Sequence, residues 1–124
     1  MSEREFGALS RALDVVNADV RATGLPGTLR LVRPEWADQN VFVETWDGGH
    51  GSGSGIFPDN GGAVPALVAV ADEAQDAVME SIWGAWPVCP AHDLGVHAEE
   101  RDGYAVWRCQ GGGGHTVARI GQWR

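Results

Sequence analysis

An α+β fold is the expectation, and three observations carry it: two segments with a helical hydrophobic period, short β-branched and aromatic runs beside them, and a tail built around paired Cys and His residues. The first helix is expected over 2–23. Phe6, Leu9, Leu13, Val16 and Val20 recur at steps of three and four, so they line one face. Ser2 with Glu5 fits a capping box, and Gly24 with Pro26 ends the pattern. In residues 28–33 Leu29 and Leu31 alternate with Thr28 and Arg30, and 41–46 is rich in β-branched and aromatic residues, so two strands joined through Pro34 to Asn40 form a hairpin. The glycine density of Asp47 to Gly55 predicts a loop. A second helix is expected over 65–84. At about 100° per residue Leu67, Val70, Ala71, Ala74, Val78 and Ile82 share one arc, while Asp72, Glu73, Asp76 and Glu80 point elsewhere. Met79, Trp83 and Trp86 fall outside that arc and call for a cover, either the tail or a partner.

The length of 124 residues allows one compact domain, or a domain with a small appendage. Charge suggests where to divide it. Residues 1–84 hold 13 acids and 5 Arg, net −8, whereas residues 85–124 hold 4 acids and 4 Arg, net zero. An acidic α+β lobe over 1–84 and a neutral module over 85–124 are therefore expected. The overall charge of −8 and pI near 4.7 disfavour general attraction to phosphate backbones or anionic lipid. The basic residues are all Arg, which excludes lysine Schiff bases and the P-loop lysine. The longest apolar stretch, Ala63 to Ala71, falls far short of the roughly 20 residues a membrane helix needs. Glu3 and Glu5 stand where a secretory signal places basic and apolar residues, so a cytoplasmic location is expected.

The strongest chemical signal lies in the last third. Cys89-Pro90-Ala91-His92 is followed after 16 residues by Cys109, then five residues including four Gly, then His115. This C-x2-H, x16, C-x5-H pattern places two soft thiolates and two imidazoles in one set, a donor mixture suited to tetrahedral Zn²⁺. Between the pairs, 96–100 and 104–109 read as strands around the turn signal Arg101-Asp102-Gly103, and a third strand is expected over 116–123. Knuckle, hairpin, knuckle and strand resembles a zinc ribbon. The segment is also similar to small uncharacterised proteins of high-GC bacteria that end in a pattern like Trp86-Pro87-Val88-Cys89-Pro90-Ala91-His92 and Val106-Trp107-Arg108-Cys109 to His115. The resemblance implies Cys89, His92, Cys109 and His115 as the metal ligands. The mixed Cys₂His₂ set and the glycine-expanded second knuckle depart from the commonest ribbon. Three other readings of these residues stay open: a Cys89–Cys109 disulfide, which a reducing compartment disfavours; two buried unliganded thiols beside solvated histidines; and a Cys/His nucleophilic dyad, which needs a low-pKa thiolate.

Four protein ligands close a tetrahedron and leave no place for water, so the zinc is expected to be structural. A module of about 40 residues commonly needs a metal to fold. His50, in the glycine-rich loop, matches no phosphate-binding or nucleophile motif; beside Glu44 or Asp47 it could serve as a base or ligand. His97, in a predicted strand, is the substitute ligand if His92 points away. A noncatalytic, zinc-stabilised protein-interaction or scaffold protein is thus the leading expectation, with Trp83, Trp86, Trp107 and Trp123 meeting another protein or a second copy. The alternative is a small zinc enzyme with one ligand replaced by solvent and His50 or a helix acid as base. A third is a nucleic-acid-binding ribbon using Arg101, Arg108, Arg119 and Arg124 with Trp107 or Trp123 as a stacking platform.

Overall fold

A computed structural model describes residues 3–34, 40–51, 55 and 56, and 62–124. The Ser2 cap, most of the hairpin connection and part of the glycine-rich loop lie outside the described residues. The element order is α+β as the sequence predicts: helix α1 (Glu3–Ala22), strands β1 (Arg30–Val32) and β2 (Phe42–Glu44), helix α2 (Ala63–Ile82), then β3 (His97–Arg101), β4 (Tyr104–Cys109) and β5 (His115–Arg119). Among the described residues, no helix is long and apolar enough to cross a membrane.

The predicted face of α1 is the buried one. Leu9, Leu13, Val16 and Val20 all enter the core. Strands β1 and β2 pair antiparallel, Arg30 opposite Glu44 and Val32 opposite Phe42, and both are shorter than the sequence suggests. The reason is local. The buried Asn17 side chain donates to the Leu29 carbonyl at 3.0 Å and accepts from the Leu29 N–H at 2.9 Å, so a helix amide satisfies the backbone just before β1. After β2, the Thr45 N–H donates to the Gly49 carbonyl at 2.8 Å, which turns the chain. At the described edges of the expected loop, isolated bridges join Glu44 to His50 and Val41 to Ile56.

Helix α2 begins two residues earlier than its pattern suggests. Pro65 then sits in the first turn, where its missing N–H has no helical partner to lose. Val70, Ala71, Ala74 and Val78 are buried as the projection requires, but Ile82 is exposed because the last turn extends past the core. In the tail, β3, β4 and β5 form an antiparallel sheet in chain order. Asp102 and Gly103 connect β3 to β4 with φ of 53° and 84°, the positive values of a two-residue type I′ turn. Strand β5 starts at His115 and stops at Arg119, short of the expected 123: the Ile120 N–H still donates to the Ala105 carbonyl of β4 at 3.0 Å, but the Gly121 and Trp123 N–H groups turn to Asp19 of α1.

That last contact centres on Asp19. Its carboxylate is fully buried and accepts the Trp107 indole N–H at 2.8 Å, the Gly121 N–H at 2.7 Å and the Trp123 N–H at 2.9 Å. Gln75 on α2 donates its side-chain amide to the Val96 carbonyl. One hydrophobic cluster accordingly contains Leu9, Val16 and Val20 of α1, Val70 and Val78 of α2, and Trp86, Cys89, Val96, Trp107, Cys109 and Ile120 of the tail.

Candidate metal centre

Two turns and one strand pair bring the four expected ligands together. Cys89 and His92 lie on a closed turn held by Cys89 N–H to Leu94 C=O at 2.8 Å, Asp93 N–H to Cys89 C=O at 2.8 Å and Val96 N–H to Pro87 C=O at 3.0 Å. Cys109 ends β4 and His115 opens β5, directly opposite each other in the ladder. A register shift between Trp107 and Arg108 precedes that pair, a β-bulge of the kind that re-aims side chains. The donor atoms of Cys89, His92, Cys109 and His115 all lie within 4.8 Å of one another, a group able to hold one metal ion.

The individual separations are tighter. His92 Nδ1 lies 3.6 Å from Cys89 Sγ, 3.5 Å from Cys109 Sγ and 3.2 Å from His115 Nε2, and His115 Nε2 lies 3.5 Å from Cys89 Sγ. Both sulfurs are buried, His115 is half-buried and His92 faces solvent. Burial pushes the Cys89 thiol up, but hydrogen bonds from the His92 side chain, the Ala91 and His92 backbone and the Cys109 side chain outweigh it, lowering the thiol from 9.0 to about 6. The thiolate is the form that ligates a metal. The Gly111 N–H donates to Cys109 Sγ at 3.3 Å, a backbone donor aimed at the second sulfur.

The glycine-rich second knuckle has a steric cause. A Cβ on Gly111 would stand 2.6 Å from Cγ of His92 and one on Gly112 would stand 3.0 Å from its Nε2, so the imidazole packs closely against bare backbone. Gly112, Gly113 and Gly114 also hold φ of 64°, 88° and 93°, in the region that favours glycine. Gly111→Ala is expected to dislodge His92 and weaken metal binding about ten- to hundredfold, as loss of a ligand's support does elsewhere. Competition with a chromogenic chelator measures it. Gly113→Ala, whose Cβ would meet nothing within 4 Å, is expected to cost backbone strain but leave the affinity near its original value.

His50 and His97 are not members of this group. His50 contacts the Phe42 ring at 5.6 Å, and its Nδ1 lies 3.2 Å from the Gly51 carbonyl oxygen. His97 is exposed in β3 opposite Arg108. No carboxylate belongs to the group either. On α2, Glu73 is half-buried with one carboxylate oxygen that has no hydrogen-bond partner among the described residues, and burial followed by the charges of Asp76 and Asp72 raises its pKa against the opposing influence of His50.

The four tryptophans expected to meet a partner do not share a surface. Trp86 and Trp107 are core residues: their rings pack edge-on at 5.8 Å, Trp86 donates its indole N–H to Thr23 Oγ1 at 2.9 Å, and Trp107 is closed off by Asp19. Of the three residues expected to need a cover, Trp86 finds it within the chain, whereas Met79 and Trp83 stay exposed. Trp123 is half-buried against the same core. Trp83 is 94% exposed. Comparison with models of protein families, with curated proteins and with solved structures finds no match to this chain.

Proposed function

We propose that this is a noncatalytic interaction or scaffold protein whose tail is a zinc-ribbon-like module closed by one structural Zn²⁺ on Cys89, His92, Cys109 and His115. The separation of the donor atoms supports this most directly. Zinc bonds of about 2.3 Å to sulfur and about 2.05 Å to nitrogen, at tetrahedral angles, give edges of about 3.6 Å between S and N and about 3.3 Å between two N. Three S–N edges here measure 3.5–3.6 Å and the N–N edge 3.2 Å, with all four donor atoms within 4.8 Å of one another. Two thiolates and two neutral imidazoles also balance the charge of a divalent ion, and this soft, mixed set suits a d¹⁰ metal with no geometric preference of its own.

Protein atoms take all four vertices, which supports a structural role over a catalytic one. Against the nucleic-acid reading stand the internal engagements of the tail. Arg101 pairs with Glu99 at 3.0 Å, Arg108 donates to Thr116 Oγ1 at 3.1 Å, and Arg119 lies 3.6 Å over the Tyr104 ring, while Trp107 is buried.

Elemental analysis of protein purified under reducing conditions is expected to give one zinc per chain, and cobalt exchange a tetrahedral spectrum indifferent to added small anions. Metal-free protein of unchanged stability, or a Cys89–Cys109 disulfide, would refute the site. A cobalt spectrum that responds to an added anion would reveal an exchangeable position and favour the enzyme.

A further inference from the structure

Trp83 ends α2 in the left-handed backbone region, φ 57° and ψ 42°, with its N–H bonded to the Met79 carbonyl at 3.0 Å. Such a terminus normally falls to glycine, since a bulky residue pays a steric penalty there. The side chain then stands almost wholly in water, where its apolar area contributes nothing to the core. Two local costs thus coincide at one exposed indole.

Shallow depressions flank it. One of about 570 Å³ is formed with Asp76, Met79, Glu80 and Ala85, and another of about 400 Å³ with Asp47, Glu80, Ser81 and His50. Residues 76, 79, 80 and 83 follow one another at helical i, i+3 and i+4 spacing, so they share a face of α2. Asp47 is fixed beside them, accepting from the Gly49 N–H at 3.1 Å and from Ser81 Oγ at 3.3 Å. Arginine lines neither depression.

We propose that Trp83, Asp76, Glu80 and Asp47 form a docking surface for a basic segment of a partner protein, with an Arg or Lys side chain laid over the indole. The inference rests on the interaction reading above and supplies the partner's chemistry. Charge complementarity selects the occupant. A second copy would bring another acidic face from a chain of net charge −8. A cationic side chain finds the negative face of the indole, carboxylates on both flanks, and Met79 and Ala85 as an apolar floor for its aliphatic stem.

The test uses the full zinc-loaded chain and a fluorescein-labelled peptide of alternating Arg and Ala, followed by anisotropy at several salt concentrations, with zinc content measured on every sample. The peptide is expected to bind, more weakly as salt rises. Trp83→Gly is expected to weaken it about three- to tenfold although the net charge is unchanged. Because glycine suits the left-handed terminus, that variant is expected to melt no lower than the parent. Glu80→Gln is expected to weaken binding about twofold or more. Equal binding by the parent and Trp83→Gly would reduce the effect to bulk charge and overturn the proposal. No peptide binding, with a concentration-dependent dimer that Trp83→Gly abolishes, would overturn the basic partner yet leave an interaction protein. Neither binding nor dimerisation would remove the surface altogether, while the zinc measurement reports separately on the metal site.

Discussion

Chelation of the metal is expected to unfold the whole chain, including two helices that carry no ligand. Both sulfurs sit in the same hydrophobic cluster as Leu9 and Val16 of α1 and Val70 and Val78 of α2. The tail is further tied to those helices through Trp86 to Thr23, Trp107 to Asp19 and Gln75 to Val96. A structural zinc contributes about 10 kcal/mol or more, whereas the net stability of an ordinary domain is about 5–15 kcal/mol. The metal-free chain therefore retains little to hold α1 against α2. Circular dichroism in the helical region reads this out, because the signal comes from α1 and α2. A strong chelator should abolish the cooperative melt, re-added zinc should restore it, and Cys109→Ser should reproduce the chelated state. Helices that melt as before after proven zinc loss would mean that the tail is an appendage and the shared core is energetically slight.

The sequence displayed the candidate metal site more plainly than the packing around it. Ligand spacing in C-x2-H and C-x5-H is a local property, and a closed turn plus a pair of facing strand ends is sufficient to bring such residues together. The glycines after Cys109 were readable as an expanded knuckle, but the ring of His92 lying against Gly111 required knowledge of a residue 19 positions away. Hydrophobic period placed the buried faces of α1 and most of α2, since burial follows directly from it. It failed at Ile82, where the helix outruns the core. It also gave no warning of Asp19, Asn17 and Gln75, buried polar residues whose partners lie on other elements. Nor does composition tell an exposed Trp from one that fills a core; Trp83 and Trp86 are three residues apart, the first exposed and the second buried.

Asp19→Ala is the second change expected to be severe. The carboxylate receives three N–H donors from β4 and the chain beyond β5, and it is buried, so alanine leaves those donors without acceptor or water. Hydrogen bonds to a charged group contribute about 1.5–3 kcal/mol each, but removing the charge also removes its own burial penalty, so the net loss is expected near 4 kcal/mol rather than their full sum. For a chain of this size that lowers Tm by roughly 10–20 °C. Asp19→Asn keeps one acceptor oxygen but turns an amide N–H₂ toward N–H donors, and should fall between parent and alanine. None of the three donors belongs to a metal ligand, so at low temperature the variants should still hold one zinc per chain while melting earlier. Hydrogen exchange at the Trp107 indole N–H gives the site-specific readout, with protection lost in Asp19→Ala. A Tm within a degree or two of the parent would show that the carboxylate cluster is incidental and that apolar contact alone holds the tail on α1.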